Sequence, residues 1–390
     1  MKPKNFMLIA GEASGDLLAA ELVAALRAQS PDATFFGAGG PKISAAGVEL
    51  VHEMSHLSVV GITDVFRKIF EFRRLLRQLL AAAVERRPDV VIGVDFGGFN
   101  SRFAHAVEEH VRSNPGGWNP KIVQFISPQV WASRPRRANR LAADCDLLLS
   151  IFPFEKDWYA QRVPQLRVEF VGNPMVDRFS RRSRGNEAQL KEKLETPHVV
   201  PCKNILLLPG SRRSELKNHL PAMLGALKLI QEKLPSAKAK MVLPDDSLVQ
   251  LAKSLGVTAN VEIQIGDLPQ ALAQADIAIA KTGTVTMECA FFGVPAVTLY
   301  KGSWLNYQIA RRLITVKTFT MPNLLAGEEV YPEFLQDALT AENLARAALE
   351  LLQDGSRRTK MKSQLVKIVA SLGEPGAANR AALAILSLFK

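Results

Sequence analysis

Residues 88–100 read Pro-Asp-Val-Val-Ile-Gly-Val-Asp-Phe-Gly-Gly-Phe-Asn, an apolar run that ends on one carboxylate, Asp95. A glycine turn follows, and a helical pattern starts near Asn100 and Ser101. In a parallel α/β sheet this order places the acid at the carboxyl end of a strand, where such folds hold their ligands. A single acid at that point is a candidate general base. Three other segments have the form strand, small-residue loop, helix: Ala10-Gly-Glu-Ala-Ser-Gly-Asp16, Leu208-Pro-Gly-Ser-Arg-Arg-Ser-Glu215 and Ala280-Lys-Thr-Gly-Thr-Val-Thr-Met-Glu288. Unbonded backbone N–H groups and the positive dipole end of a helix favour an anion there. None of the three has Walker spacing or a GxGxxG fingerprint, and each alone is equally a tight turn with a helix cap. Two of them in one half of the chain, with Arg212 and Lys281 at hand, favour a diphosphate site formed by Gly210, Ser211, Arg212, Lys281, Thr282, Gly283 and Thr284. Glu288, four residues after Thr284 and so one helical turn along the same face, is placed to accept bonds from ribose hydroxyls. The first loop carries Glu12 and Asp16, which disfavour a nucleotide phosphate; it is assigned, with Ser14, to an acceptor or a domain contact.

The elements that must position these residues follow from pattern. Short apolar runs alternate with helical patterns: strands at Phe6–Ala10, Thr34–Phe36, Val90–Val94, Ile122–Ile126 and Leu147–Ile151, then at Ile205–Leu208, Met241–Leu243, Val261–Ile265, Ile277–Ala280 and Ala296–Leu299. This is the signature of doubly wound parallel sheets. At 390 residues the chain exceeds one hydrophobic core, and the alternation breaks in an Arg- and Ser-rich stretch after Gly172. The expected organisation is an N-terminal acceptor- and membrane-facing domain over 1–172, a linker over 173–185, a nucleotide-binding domain over 186–355, and helices over 356–390 that pack back on an N-terminal domain. Ligands are expected in a central cleft between the domains, with Asn100, Gln129 and Trp131 as further acceptor-side candidates; Trp131 either lines the cleft or packs.

Bulk composition excludes other classes. Apolar content of 47% with 22% charged residues is that of a soluble globular protein. No apolar run reaches membrane-spanning length, and Phe6–Ala10 is too short for a signal peptide, so a cytoplasmic location is expected. Cys145, Cys202 and Cys289 lack paired spacing and read as free thiols. The six histidines show no metal-ligand spacing, and no metal or cofactor is expected. The net charge of +11 favours phosphate-bearing partners. Nucleic acid is the weaker choice, since no aromatic–basic RNA motif or DNA-reading helix is present. Residues 63–87 instead suggest a membrane surface. Val65, Ile69, Phe72, Leu76 and Leu79 form a core stripe at about 100° per residue. Phe66 and Phe70 fall on a flank with Arg73, Arg74 and Arg77, the face that a helix lying on an anionic bilayer presents. Each such cation contributes about 1 kcal/mol, which suits reversible docking.

These segments together resemble one family, the lipid-A-disaccharide synthases. The carriers are AGEASGD at 10–16, VGITDV at 60–65, PDVVIGVDFGGFN at 88–100, ISPQVWA at 126–132, FPFEK at 152–156, LLPGSRRSEL at 207–216, TGTVTMEC at 282–289 and MPNLLAG at 321–327. The resemblance implies a GT-B fold and an inverting glycosyl transfer. UDP-2,3-diacylglucosamine is the implied donor and 2,3-diacylglucosamine 1-phosphate the acceptor; a β-1,6 link forms and UDP leaves, with no metal required. It implies Asp95 as the base, Arg212 as the phosphate-facing arginine, and Glu288 and Asn323 as members of C-terminal motifs that bind the UDP. It also implies peripheral placement on the cytoplasmic face of the inner membrane; a homodimer is left open. Four positions depart from the family pattern: Gly97 for a common proline, Ser133 for a tryptophan, Asn173 for a histidine and Lys281 for a small residue. The rival readings are an isomerase like the UDP-N-acetylglucosamine 2-epimerases, and a basic nucleic-acid binder.

Overall fold

The computed structural model describes residues 4–11, 13–54, 65–183, 204–303, 307–308, 314 and 316–390. Glu12, Cys202, most of the VGITDV segment and the end of the expected linker (184–185) lie outside the described residues, as does the side chain of Phe66. The described chain forms two compact units: Met1–Arg178 with Leu372–Lys390, and Phe179–Ser371.

The first unit holds a parallel sheet of β1 (Asn5–Ala10), β2 (Thr34–Gly39), β3 (Glu49–Glu53), β4 (Val90–Val94), β5 (Lys121–Phe125), β6 (Leu147–Ser150) and β7 (Val168–Phe170), in the order β3-β2-β1-β4-β5-β6-β7. The second holds β8 (Asn204–Leu208), β9 (Lys238–Leu243), β10 (Val261–Ile265), β11 (Ile277–Lys281), β12 (Ala296–Tyr300) and β13 (Glu333–Leu335), in the order β10-β9-β8-β11-β12-β13. Every pairing is parallel. Helices cover both faces of such a sheet, so central strands such as Val90–Val94 are apolar throughout and fully buried. The strands that pattern alone missed, β3, β7 and β13, lie at or near edges and read ELVHE, VEF and EFL. They are short and charged, as edge strands are, and carry too little periodicity to be seen.

In the first unit, one face of the sheet is covered by helix Ala13–Gln29 and the final helix Ala377–Leu386. The other is covered by helices Val65–Arg86 and Gly97–Ser113. The buried stripe of Val65–Arg86 is centred on Leu75, Leu79 and Ala83, with Phe72, Leu76 and Leu80 at its margin. This lies slightly round the helix from the expected stripe, because its C-terminal half packs against Met7 and Val91 while Phe72 meets Phe96 and Phe99.

Two expected boundaries are corrected. The linker over 173–185 begins as a helix, Pro174–Ser183. The buried Asn173 accepts from Met175 N–H at 3.0 Å and so caps its start. The crossing back to the first unit lies at Leu372, not 356. Helix Gly355–Ser371 buries Arg358, Met361, Leu365 and Ile368 in the second unit, and Arg358 donates to the carbonyls of Leu351 and Leu352 at the end of the preceding helix. Only beyond Leu372 does the chain join the first unit, where the Asp177 carboxylate accepts from Gly376 and Ala377 N–H and caps the final helix. Among the described residues no helix is long and apolar enough to cross a membrane.

Candidate active site

Both sheets reverse their winding between the first and fourth strand in sequence order, β1 and β4 in one unit and β8 and β11 in the other. The loops leaving those two strands diverge there and open a crevice at the carboxyl edge. All of the loops picked from sequence leave these four strands.

In the first unit, Ala10 pairs with Val94, so the β1 loop and Asp95 leave the sheet side by side. Asp95 and Phe96 both adopt left-handed backbone, with φ of 52° and 43°. Such conformations cost energy in residues other than glycine and persist only where neighbours enforce them. Here the enforcement is direct. Asp95 N–H donates to Phe125 O at 2.9 Å. Its carbonyl accepts from the Asn100 amide at 2.8 Å and the Gln124 amide at 3.0 Å. The Phe96 ring lies over Gly11, where any Cβ would fall 2.2 Å from the ring. The AGEASGD glycine therefore serves close packing beneath the Asp95 turn. The Asp95 side chain is half-buried, with Ser14 Oγ donating to it at 3.5 Å. Burial raises its pKa, and the Phe96 N–H and Ser14 hydroxyl only partly oppose that. A half-accessible carboxylate of raised basicity is suited to accept a proton.

Several acceptor-side expectations change. Asn100 is 3% exposed and spends its amide on the carbonyls of Asp95, Val94 and Ile9; it holds the turn and does not face an acceptor. Trp131 is 6% exposed, donates from Nε1 to Glu155 at 3.0 Å and packs edge-on to Phe154. It is a packing residue, which settles the two readings left open for it. Asp16, one of the loop's acids, is buried and accepts from Gly40, Lys42 and Ile43 N–H, capping a neighbouring helix. Gln129 is exposed at the start of the short helix Val130–Ser133, and Ser133 ends it half-buried. Gly97, where the family pattern has proline, faces Pro128; a Cβ on it would fall 2.6 Å from the Pro128 Cβ. Tight packing accompanies that departure. Sequence reasoning missed Gln124 and Glu155. Gln124 reads as one more strand residue, although a buried glutamine in a parallel strand is itself a signal. Burial pushes the Glu155 carboxyl up to about 7, against hydrogen bonds from Trp131, Ser127 and the Phe152 and Ile151 N–H groups.

In the second unit, Leu208 and Ala280 pair across the switch point. The loop after β8 exposes Ser211 and Arg212; that after β11 exposes Gly283 and Thr284, with Thr282 half-buried. Gly210 needs its glycine: its φ is 130°, and a Cβ would fall 2.3 Å from Glu215 Oε2. Helix Thr284–Phe291 starts after Gly283 with no side-chain cap; Gly283 O meets the Thr286 N–H at 3.0 Å, and the N–H groups before it are left to an outside acceptor. Arg212 has 76% of its side chain exposed. Lys281 is not the bare charge expected. Its Nζ lies 3.0 Å from Glu215 Oε1, and Glu215 also accepts from Ser211 N–H at 2.9 Å. Burial pushes Glu215 up, but Lys281, the Ser211 N–H and Arg212 outweigh it and hold the carboxyl below its usual range. Sequence reasoning missed Glu215. His219 is fully buried between Pro209 O, 2.7 Å away, and Lys301 N–H, 3.1 Å away. With burial lowering its pKa, it is a neutral strut that ties this loop to the one after β12.

Glu288 stands half-buried on helix Thr284–Phe291, one turn past Thr284. Asn323 is corrected: it is fully buried, donates to Tyr331 O and Glu333, and accepts from Val330 and Tyr331 N–H. An amide has two donor hydrogens and two lone pairs on its oxygen, so nothing remains for a nucleotide. On helix Val65–Arg86 the Phe70 side chain is 68% exposed, and Arg73, Arg74 and Arg77 are exposed beside it.

A family model described as Lipid-A-disaccharide synthetase matches residues 6–387. A lipid-A-disaccharide synthase from Myxococcus xanthus is 35% identical over 390 residues, 99% of this chain and 98% of that protein. The crystal structure of a UDP-GlcNAc 2-epimerase from Methanocaldococcus jannaschii superposes with a TM-score of 0.60 at 14% identity, covering 98% of this chain and 99% of its own. The calicheamicin glycosyltransferase CalG4 does so with a TM-score of 0.58 at 15% identity, covering 100% of both chains. These two likenesses are of fold alone, and the fold is GT-B, an α/β architecture of two parallel-sheet, Rossmann-like domains. With the family model spanning nearly the whole length, the chain belongs to the lipid-A-disaccharide synthetase family.

Proposed function

We propose that this protein is an inverting glycosyltransferase that joins UDP-2,3-diacylglucosamine to 2,3-diacylglucosamine 1-phosphate, giving the β-1,6-linked disaccharide 1-phosphate and UDP. The observation that carries the reading is the Asp95 turn: a carboxylate of raised basicity at the switch point of the first unit, on a left-handed turn whose backbone carbonyl two amides clamp. Asp95 takes the proton of the acceptor 6-hydroxyl as that oxygen attacks the anomeric carbon. The bond from that carbon to the UDP phosphate oxygen breaks on the opposite face, so the centre inverts. The leaving diphosphate gathers negative charge, which Arg212, the Ser211 loop and the uncapped start of helix Thr284–Phe291 stabilise. Lys281 acts there as the partner that holds Glu215, and Glu288 is placed for the ribose. Gln129 and Ser14 stand on the acceptor side.

Both substrates carry acyl chains, each buried CH₂ contributing about 0.8 kcal/mol to membrane residence, so the enzyme must work at a bilayer. Exposed Phe70 beside Arg73, Arg74 and Arg77 suits peripheral docking on the anionic cytoplasmic face of the inner membrane. Replacing the three arginines by glutamine should weaken sedimentation with anionic vesicles and leave the melting temperature in place. The reaction itself is tested by UDP release from the diacyl donor with and without the 1-phosphate acceptor, followed by mass measurement of the lipid product. Acceptor-dependent UDP release with a disaccharide mass is expected. An isomerised sugar from donor alone would overturn the reading in favour of an epimerase.

A further inference from the structure

A second cluster of charge lies on the two helices that follow Asp95 and β5, and has no part in the chemistry above. Helix Gly97–Ser113 follows Asp95, and helix Arg137–Asp144 follows the loop after β5. In a parallel sheet both therefore start at the carboxyl edge. The two helices are joined along one seam: His105 Nδ1 lies 3.0 Å from Asp144 Oδ1, and Arg112 donates to Ala143 O at 3.2 Å. Arg102 is one turn before His105 on its helix, and Arg137 two turns before Asp144 on the other, so both lie up the seam toward the Asp95 edge. Arg134 precedes Arg137 by one turn, its carbonyl accepting the Arg137 N–H. Arg140 reaches back to Asp144 at 3.4 Å. Asp144 is thus spent on His105 and Arg140, while Arg102, Arg134 and Arg137 are exposed and have no carboxylate partner among the described residues.

This arrangement is unfavourable by itself. Partial burial lowers the pKa of Arg137, and the charges of Arg134, Arg102 and Arg140 lower it further. The first turn of helix Arg137–Asp144 holds no acid, so the dipole's positive end adds to the repulsion. Guanidinium groups crowded in this way are relieved by a multivalent oxyanion, which several of them can grip with paired hydrogen bonds.

We propose that Arg102, Arg134 and Arg137 form a subsite for a sugar 1-phosphate, the phosphomonoester of the acceptor, and so hold that sugar with its far hydroxyl toward Asp95. The inference rests on the reaction proposed above for its substrate and on the seam geometry for its place. The test uses the full chain and the variant with all three arginines changed to glutamine. Glucosamine 1-phosphate, a probe without acyl chains, is titrated by calorimetry against glucosamine. Wild type should prefer the phosphorylated probe, and the variant should lose about tenfold or more of that preference. In turnover, the acceptor KM should rise by a similar factor while the donor KM and the melting temperature hold. An acceptor lacking phosphate should be handled alike by both proteins. Equal discrimination between the probes by wild type and variant overturns the subsite, whether or not the enzyme turns over. If wild type makes no disaccharide but the probe result holds, the reaction falls and the phosphate site stands. If the variant loses only binding to anionic vesicles while its probe affinity is unchanged, the arginines read bilayer charge and the proposal fails.

Discussion

The two switch points are built alike and charged oppositely. In each, the crevice is bounded by the loops after the first and fourth strands of a 3-2-1-4 parallel order. In the first unit that place holds an acid whose burial raises its pKa, on a left-handed turn clamped by two amides. In the second it holds an exposed arginine, an uncapped helix start, and an acid, Glu215, held ionised by Lys281. One carboxylate is kept ready to take a proton. The other is kept from taking one, and it orders the loop proposed to face the leaving diphosphate. The lesson is that topology sets where a ligand sits, while the partners of a few side chains set the sign of the chemistry.

The sharpest way to break this contrast is Asp95→Asn. Turnover should fall by about 10²–10⁴-fold, the usual worth of a general base, with UDP affinity unchanged by calorimetry; parallel loss of UDP affinity would mean that the halves do not divide the work. Arg212→Ala attacks the other half. Loss of one donor to the developing charge should cost about 10²–10³-fold in kcat, read in the UDP-release assay with acceptor KM constant. Asn323→Ala separates packing from binding. It leaves buried N–H and carbonyl groups without partners, at about 1–3 kcal/mol, so the melting temperature should drop while the donor KM of the folded enzyme holds. A raised donor KM at constant stability would restore Asn323 to the nucleotide site.

The smallest effect concerns pH. As the proposed base Asp95 works ionised, and its raised pKa means that protonation silences it at a higher pH than an ordinary carboxylate would require. Activity should therefore climb as pH rises through that pKa, with the acidic limb of kcat/KM displaced upward. Ser14→Ala removes a hydrogen bond that opposes the rise, so it should move the limb further up. Movement downward would show that the Ser14 hydroxyl does not favour the charged form.

Much of this was legible in the chain. The strand–loop–helix order exposed the Asp95 turn and both loops of the second unit, because apolar runs and glycine turns are written in adjacent residues. It could not show that Lys281 is taken by Glu215, sixty-six positions away, or that Asn100 and Gln124 both serve the Asp95 carbonyl. Nor could it show that Trp131 is turned inward onto Glu155, or that Gly97 yields its space to Pro128.

The amino-acid order by itself determined the two parallel sheets, the four loops at their carboxyl edges and the presence of an acid in one and an arginine in the other. Only the tertiary structure decided which polar groups remain available to a ligand. The reason is physical: hydrophobic periodicity acts over a few neighbouring residues, whereas a buried polar atom must find its partner wherever the fold brings one.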